Sequence, residues 1–211
     1  YTNLGIPENK LRIRQHDESE LAHYAKKTSD IEFEYPWGWG ELEGIANRGN
    51  YDLNAHQESS GKDLRYFDPN SDNKFTPSVI EPAGGLTRTL FAVLLSLYEE
   101  EELEKEVRTL FKFKFDLAPI QIGILPLSKK EELIEVCNSI KSELGPYFRT
   151  EIDVTQSIGK RYRRQDEIGT PYCITVDFDT LEDKAVTVRD RDTMSQERIK
   201  IEDIKSYFDN M

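Results

Sequence analysis

The stretch "APIQIGILPL", Ala118 to Leu127, most constrains what this chain can fold into. An uncharged apolar run of this length reads as a strand covered on both faces, the kind found inside a sheet flanked by helices. The residues that follow fit that frame. "SKKEELIEVCNSIKSELG" puts Leu133, Cys137, Ile140 and Leu144 on one helical face, with Gly145 as the stop. "YFRTEIDV" reads as a strand, and "SIGKRYRRQDEIGTP" as a helix closing at Gly169 with Pro171 beyond it. "YCITVDFDT" and "KAVTVRDRDT" read as strands joined by the acidic turn "LEDK". Thr193 with Gln196 resembles a capping box, which predicts a final helix to about Tyr207. The order β-α-β-α-β-β-α predicts an α/β layer over residues 117–211.

Residues 1–116 have a different texture and are expected to form a separate domain. "LRIRQHDESELAHYAKKTSD" predicts a short strand, then a helix opened by His16 or Asp17 with Leu21, Tyr24 and Ala25 on its apolar face. Ile31-Phe33-Tyr35 and Leu42 to Ala46 predict two strands around a Pro-Trp-Gly turn. "NAHQESSGKDLRYFDPNSDNKF" is polar with scattered aromatics and reads as irregular. Val79-Ile80 predicts another strand, and Leu86 to about Glu104 a long helix carrying Leu90, Phe91, Leu94, Leu97 and Tyr98, with "EEEELEKE" as its solvated end.

Composition narrows the function classes. With 37% hydrophobic and 32% charged residues, 10 Tyr and 10 Phe, the 211-residue chain reads as globular rather than disordered. No apolar run is long enough to span a bilayer, and no charged leader precedes an apolar stretch, so neither a membrane anchor nor a secretory signal is expected. The chain opens on Tyr1 in mid-pattern, as expected of a piece of a longer protein. Cys137 and Cys173 lie inside apolar patterns and are expected to be buried free thiols, which suits a reducing, cytoplasmic location. His16, His23 and His56 have no Cys or His partner at ligand spacing, so no zinc is expected. A net charge of −12 argues against indiscriminate nucleic-acid binding, but "GKRYRRQ" gathers Lys160, Arg161, Arg163 and Arg164 into a local basic stretch.

The segment "VIEPAGGLTRTLF" raises the sharpest question. The first turn of a helix favours negative charge, because its N–H groups are unsatisfied and the positive end of the macrodipole lies there. Arg88 is misplaced in that turn unless an anion joins it. Glu81, after two β-branched residues and before Pro82, is expected to be a buried carboxylate facing a cavity, which requires a cation or several hydrogen-bond donors. Gly84 and Gly85 allow close approach of a ligand or of a neighbouring strand. Together these residues suit an ammonium at one end and a polyphosphate nucleotide at the other. The plainer alternative is that Glu81 and Arg88 pair with each other or with structural neighbours.

"IEPAGGLTRTLF" resembles the third sequence motif of class II aminoacyl-tRNA synthetases. "WGWGELEGIANRGNYDL", "LAPIQIGILPL", "GKRYRRQDEIGTPYCITVDFDT" and "TVRDRDTMSQERI" resemble the homodimeric glycyl-tRNA synthetase family, in that family's order and over nearly the whole chain. The resemblance implies a mixed α/β fold: part of a class II antiparallel-sheet catalytic domain over 1–116, with the third motif at 79–98, then an anticodon-binding domain over 117–211 with a mixed sheet and three helices. It implies a glycine–tRNA ligase, which activates glycine with ATP and Mg²⁺ and transfers it to the 3′ end of tRNA(Gly), as a homodimer.

Carried over residue by residue, the resemblance implies that Glu81, Pro82, Ala83, Gly84 and Gly85 bind glycine. Glu41, Leu42, Gly85, Leu86, Thr87 and Arg88 would bind ATP, with Arg88 and Glu41 as the catalytic charges and Glu41 as a Mg²⁺ ligand. Lys160, Arg161, Arg164, Arg189 and Arg191 are the candidates for tRNA contact, the alternative being pairing with Asp166, Glu167, Asp190 and Asp192. The chain departs from the family pattern at Asn47 (usually Asp), Ala83 (usually Ser) and Thr87 (usually an acid). The family's first two motifs would lie before Tyr1, so the isolated chain is expected to be inactive. The alternative reading is a synthetase-like protein without catalysis that binds nucleic acid or a partner.

Overall fold

Alternation of apolar and charged residues builds the first sheet. In the computed structural model, which describes every residue except Lys105 and Asn210, β1 (Leu11–Gln15), β2 (Lys27–Tyr35) and β3 (Gly38–Gly49) pair antiparallel in sequence. The turn between β2 and β3 is the expected Pro-Trp-Gly, and Gly38 adopts φ 113, which favours glycine. On β2, Phe33 and Tyr35 are buried on one face with Leu42 of β3 and Ala92, while Asp30, Glu32 and Glu34 line the opposite face. That charged face is matched from β1. Arg12 reaches Glu32 at 2.5 Å, and His16 contacts Asp30 at 2.7 Å.

The chain then runs through α1 (Tyr51–Ser60) and a small hairpin, β4 (Tyr66–Asp68) with β5 (Asn73–Phe75). The sequence reading had this stretch as irregular. α1 buries no residue, so it shows no apolar periodicity to detect. The helix expected after His16 shrinks to a three-residue 3₁₀ turn, Glu18–Glu20, because three scattered apolar residues cannot offset helix nucleation. β6 (Val79–Gly84) pairs with β3 and ends the sheet, giving the order β1-β2-β3-β6.

α2 begins at Leu86 but stops at Leu97, earlier than expected. The acidic run becomes β7 (Tyr98–Glu102), paired with β8 (Val107–Phe111). Its glutamates meet cations across the hairpin: Lys112 lies 2.5 Å from Glu99, and Arg108 lies 2.8 Å from Glu101. Those partners make a strand out of residues that helix periodicity alone would have continued.

The described chain divides into two compact units, Tyr1–Ser96 and Leu97–Met211. The sequence reading drew the boundary at 116/117, where the texture changes. The β7–β8 hairpin moves it because Arg108 is fully buried against Asp166 of the second unit.

In that second unit, β9 (Ile122–Pro126) is buried at every position and has parallel neighbours on both sides, β10 (Thr150–Ile152) and β11 (Tyr172–Val176). Parallel neighbours require crossovers, supplied by α3 (Glu131–Leu144) and α4 (Ile158–Ile168). All four expected residues of α3 are buried in the core, joined by Phe208 and Ile204. Cys137 and Cys173 are buried free thiols, and burial pushes both up to about 12.

After the short helix α5 (Asp179–Asp183), β12 (Ala185–Asp190) and β13 (Gln196–Lys200) complete the order β10-β9-β11-β12-β13. The expected capping box at Thr193 is absent. Thr193 instead bonds Asp190 in the β12–β13 turn, and Gln196 opens a strand pinned by Arg198 on Asp177 and Asp183. The last helix, α6, spans only Ile204–Phe208.

Gly169 ends α4 at φ 82, and a Cβ there would lie 2.3 Å from the Phe113 ring. Gly169→Ala therefore combines a left-handed backbone with a clash, and is expected to cost about 2 kcal/mol or more in urea unfolding.

Candidate functional site

Register decides which side chains share a surface. Across β1, β2, β3 and β6, one row reads Arg14–Asp30–Gly44–Ala83 and the next Thr28–Ala46–Glu81. Directly opposed residues project to the same side, so Glu81 and Ala83 stand over a floor of the small residues Gly44 and Ala46. Glu41 pairs with Glu32 beyond a bulge and belongs to the same face. A Cβ at Gly44 would meet the Glu41 Oε1 at 3.3 Å and the Asp30 Oδ1 at 3.6 Å, so two carboxylates flank this glycine. Asp30 and Glu32 are buried and already paired with His16 and Arg12. Glu41 is exposed and makes no ion pair among the described residues.

Glu81 differs from its expectation. Its side chain is 44% exposed, because β6 is the last strand of the sheet. It pairs with Arg48 rather than Arg88: Nη1 of Arg48 donates to Oε2 at 2.6 Å. Arg48 also forks onto Asp52, through Nε at 2.6 Å and Nη2 at 2.8 Å. These bonds hold the Asp52 carboxyl below its usual range.

α2 starts from Gly85, whose carbonyl accepts the Thr89 N–H at 2.9 Å, and its first turn holds Leu86, Thr87 and Arg88 with no acid. Arg88 is exposed and lies over the Tyr35 ring at 5.7 Å, with no carboxylate partner among the described residues. Tyr35 is stacked on Trp37 and Phe91, so the guanidinium edges an aromatic patch. Gly40 lies beneath; a Cβ there would sit 3.6 Å from Arg88 Nη2. Pro82, Ala83, Gly84, Gly85, Leu86 and Thr87 are all exposed around this turn, whereas Leu42 is buried in the core and turned away from any ligand.

At one of the family departures the side chain has a defined task. The Asn47 Oδ1 accepts the Gly49 N–H at 3.0 Å, a task an aspartate oxygen performs equally well. Among the described residues no group of three His, Cys, Asp or Glu could hold a metal, so a Mg²⁺ at Glu41 would need the substrate's phosphates as its other ligands.

The five basic candidates of the second unit separate sharply. Arg161, Arg189 and Arg191 are buried, contrary to the expectation of surface contacts. Arg161 donates to the Pro126 carbonyl at 2.6 Å. Arg189 forks onto Asp166, and Arg191 reaches the carbonyls of Phe113 and Gly169 at 3.0 and 2.9 Å. Arg164 bonds Asp153 and is half-buried. Only Lys160 is both exposed and, among the described residues, without a partner. It opens onto a cleft of about 490 Å³ lined also by Tyr162, Arg163, Arg189, Met194 and Gln196.

Sequence reasoning missed Arg48, Asp30, Gly44 and Ala46. The period-two spacing of Asp30, Glu32 and Glu34 against Arg12 and Arg14 carried a signal for the charged face. The Arg48–Glu81 contact, bridging 33 residues, had none.

Comparison with known proteins follows the same division. An anticodon binding domain family matches residues 121–211. Over 208 residues the chain is 57% identical to a glycine–tRNA ligase of Lachnospira eligens, covering 98% of this chain and 45% of that protein. It is 54% identical to the glycine–tRNA ligase of Clostridium perfringens, covering 97% and 44%. The chain thus spans under half the length of these relatives. Among solved structures, prolyl-tRNA synthetase from Cryptosporidium parvum, complexed with L-proline and AMP, matches with a TM-score of 0.67 at 20% identity, over 95% of this chain and 41% of that one; it shares the fold.

The burial pattern gives a direct test. Arg191→Met leaves two carbonyls without their donor and is expected to cost about 3 kcal/mol in urea unfolding, against under about 0.5 kcal/mol for Lys160→Met.

Proposed function

We propose that this chain, 57% and 54% identical to glycine–tRNA ligases of which it spans 45% and 44% and matched over residues 121–211 by an anticodon binding domain family, supplies the amino-acid pocket, part of the nucleotide clamp and the anticodon-binding domain of an enzyme that charges tRNA(Gly). One observation carries the reading: β6 bears an acid beside a floor of small residues on one sheet face and leads through Gly85 straight into a helix whose first turn holds an arginine with no carboxylate partner among the described residues.

Glu81 takes the glycine ammonium. Gly44, Ala46 and Ala83 form the surface against which the substrate lies, and their small size lets it approach the sheet closely. A roomy pocket discriminates poorly by one methylene, so selection of glycine over alanine requires a tight fit at its Cα. Arg88 neutralises phosphate charge, aided by the N–H groups of its own helical turn. The glycine carboxylate attacks the α-phosphorus of ATP, pyrophosphate leaves, and the terminal tRNA hydroxyl then displaces AMP from the glycyl carbonyl. The protein's share is position and charge. Glu41 would be the carboxylate on this chain that holds Mg²⁺ carried by the ATP phosphates, and the ion would offset their negative charge.

In the second unit, Lys160 and the cleft beside it take the anticodon loop. Recognition of splayed bases needs a few donors and a stacking surface rather than bulk charge, which suits an acidic protein.

The test is ATP–pyrophosphate exchange by the full-length protein. Glycine is expected to support exchange and alanine is not. Arg88→Ala is expected to lower kcat/KM for ATP by about a hundredfold. Lys160→Ala should weaken tRNA binding and reduce its salt slope by about one. Absence of glycine-dependent exchange would leave a binding protein without catalysis.

A further inference from the structure

Arg48 ties together side chains from three elements, β3, α1 and β6. It sits near the end of β3, grips Asp52 in the first turn of α1 with two hydrogen bonds, and donates a third to Glu81 on β6. Its guanidinium also lies 3.9 Å from the centre of the Tyr24 ring. With 20% of its side chain exposed, it is more enclosed than the carboxylate it holds. A glutamate on an edge strand, 44% exposed, has rotamer freedom that a substrate would have to freeze at its own expense. Arg48 has already frozen it. The planar fork reaches two acids at once only because Asp52 fixes one edge of the guanidinium and the Tyr24 ring supports its face.

We propose that Arg48 is a positioning residue for the amino-acid pocket: by occupying Oε2 of Glu81, it presents the other oxygen, Oε1, to the substrate ammonium. A carboxylate has about four acceptor sites, so one guanidinium and one ammonium fit together without competing. Asp52 is the outer member of this relay, and the order is Asp52, Arg48, Glu81, substrate. The inference rests on the reading of Glu81 as the ammonium ligand.

The experiment is steady-state ATP–pyrophosphate exchange in the full-length protein with Arg48→Met, Arg48→Lys, Glu81→Gln and the Arg48→Met/Glu81→Gln pair. Arg48→Met is expected to raise the KM for glycine about tenfold while the KM for ATP stays within about twofold. Arg48→Lys keeps the charge but not the fork, and is expected to fall between the two, about threefold. The paired variant should be no worse than Glu81→Gln alone, because Arg48 acts only through that carboxylate.

Additive effects in the pair, or an unchanged glycine KM in Arg48→Met beside a raised one in Glu81→Gln, overturn the positioning role. A silent Glu81→Gln instead removes the ammonium reading first and this inference with it, a pattern distinct from the other two. If Arg48→Met does not fold, Arg48→Lys carries the comparison, with matched thermal unfolding showing that the altered KM is not a loss of structure.

Discussion

The buried carboxylate of Asp166 governs the second unit. Arg108 reaches it from the β7–β8 hairpin, Arg189 from β12, and Arg163 from its own helix. A fully buried anion is tolerable only when paired and hydrogen-bonded, and removing one partner of such a set costs far more than the set contributes as a whole. The cluster therefore tolerates little change, and it fixes three elements with respect to one another. It also consumes arginines that would otherwise be available at the surface. Of the five basic candidates, Lys160 and the cleft beside it are what is left for a partner.

The first unit solves a different problem. Its sheet separates charge from the core by simple alternation, so that the aromatic face packs Phe33 and Tyr35 while the other face is a lattice of acids and bases. Within that lattice most acids are already neutralised. Glu41 stands out because no cation has been assigned to it, and Arg88 because no anion has. Sites for charged ligands are recognised by this kind of imbalance, since charges left unmatched in a folded protein are candidates for a role in binding.

The apolar run at Ala118–Leu127 and the four-residue stripe on α3 were enough to place the second sheet and its main crossover, because burial on both faces leaves a simple pattern. Gly169 was equally plain. The end of α2, the β7–β8 hairpin and the true course of residues 196–200 were not legible, since each depends on charge pairs formed across a strand pairing, Lys112, Arg108 and Arg198 with their acids, which helix periodicity does not report. The same limit applied to function. Glu81 and Arg88 stood out from local chemistry and from the family resemblance, whereas the burial of Arg161, Arg189 and Arg191 could not be read from a basic stretch. Charge clusters in sequence do not say which members face inward.

β6 has a hydrogen-bonded neighbour on one side only, and Ile80 on that strand and Leu86 just beyond it are exposed, the latter at 84%. A row of unsatisfied amide and carbonyl groups next to bare hydrocarbon is adhesive: it can recruit any extended segment, including its own copy. On its own, this stretch of polypeptide would thus be a poor candidate for concentrated solution work, and its solubility would rest chiefly on the mutual repulsion of its surplus negative charge.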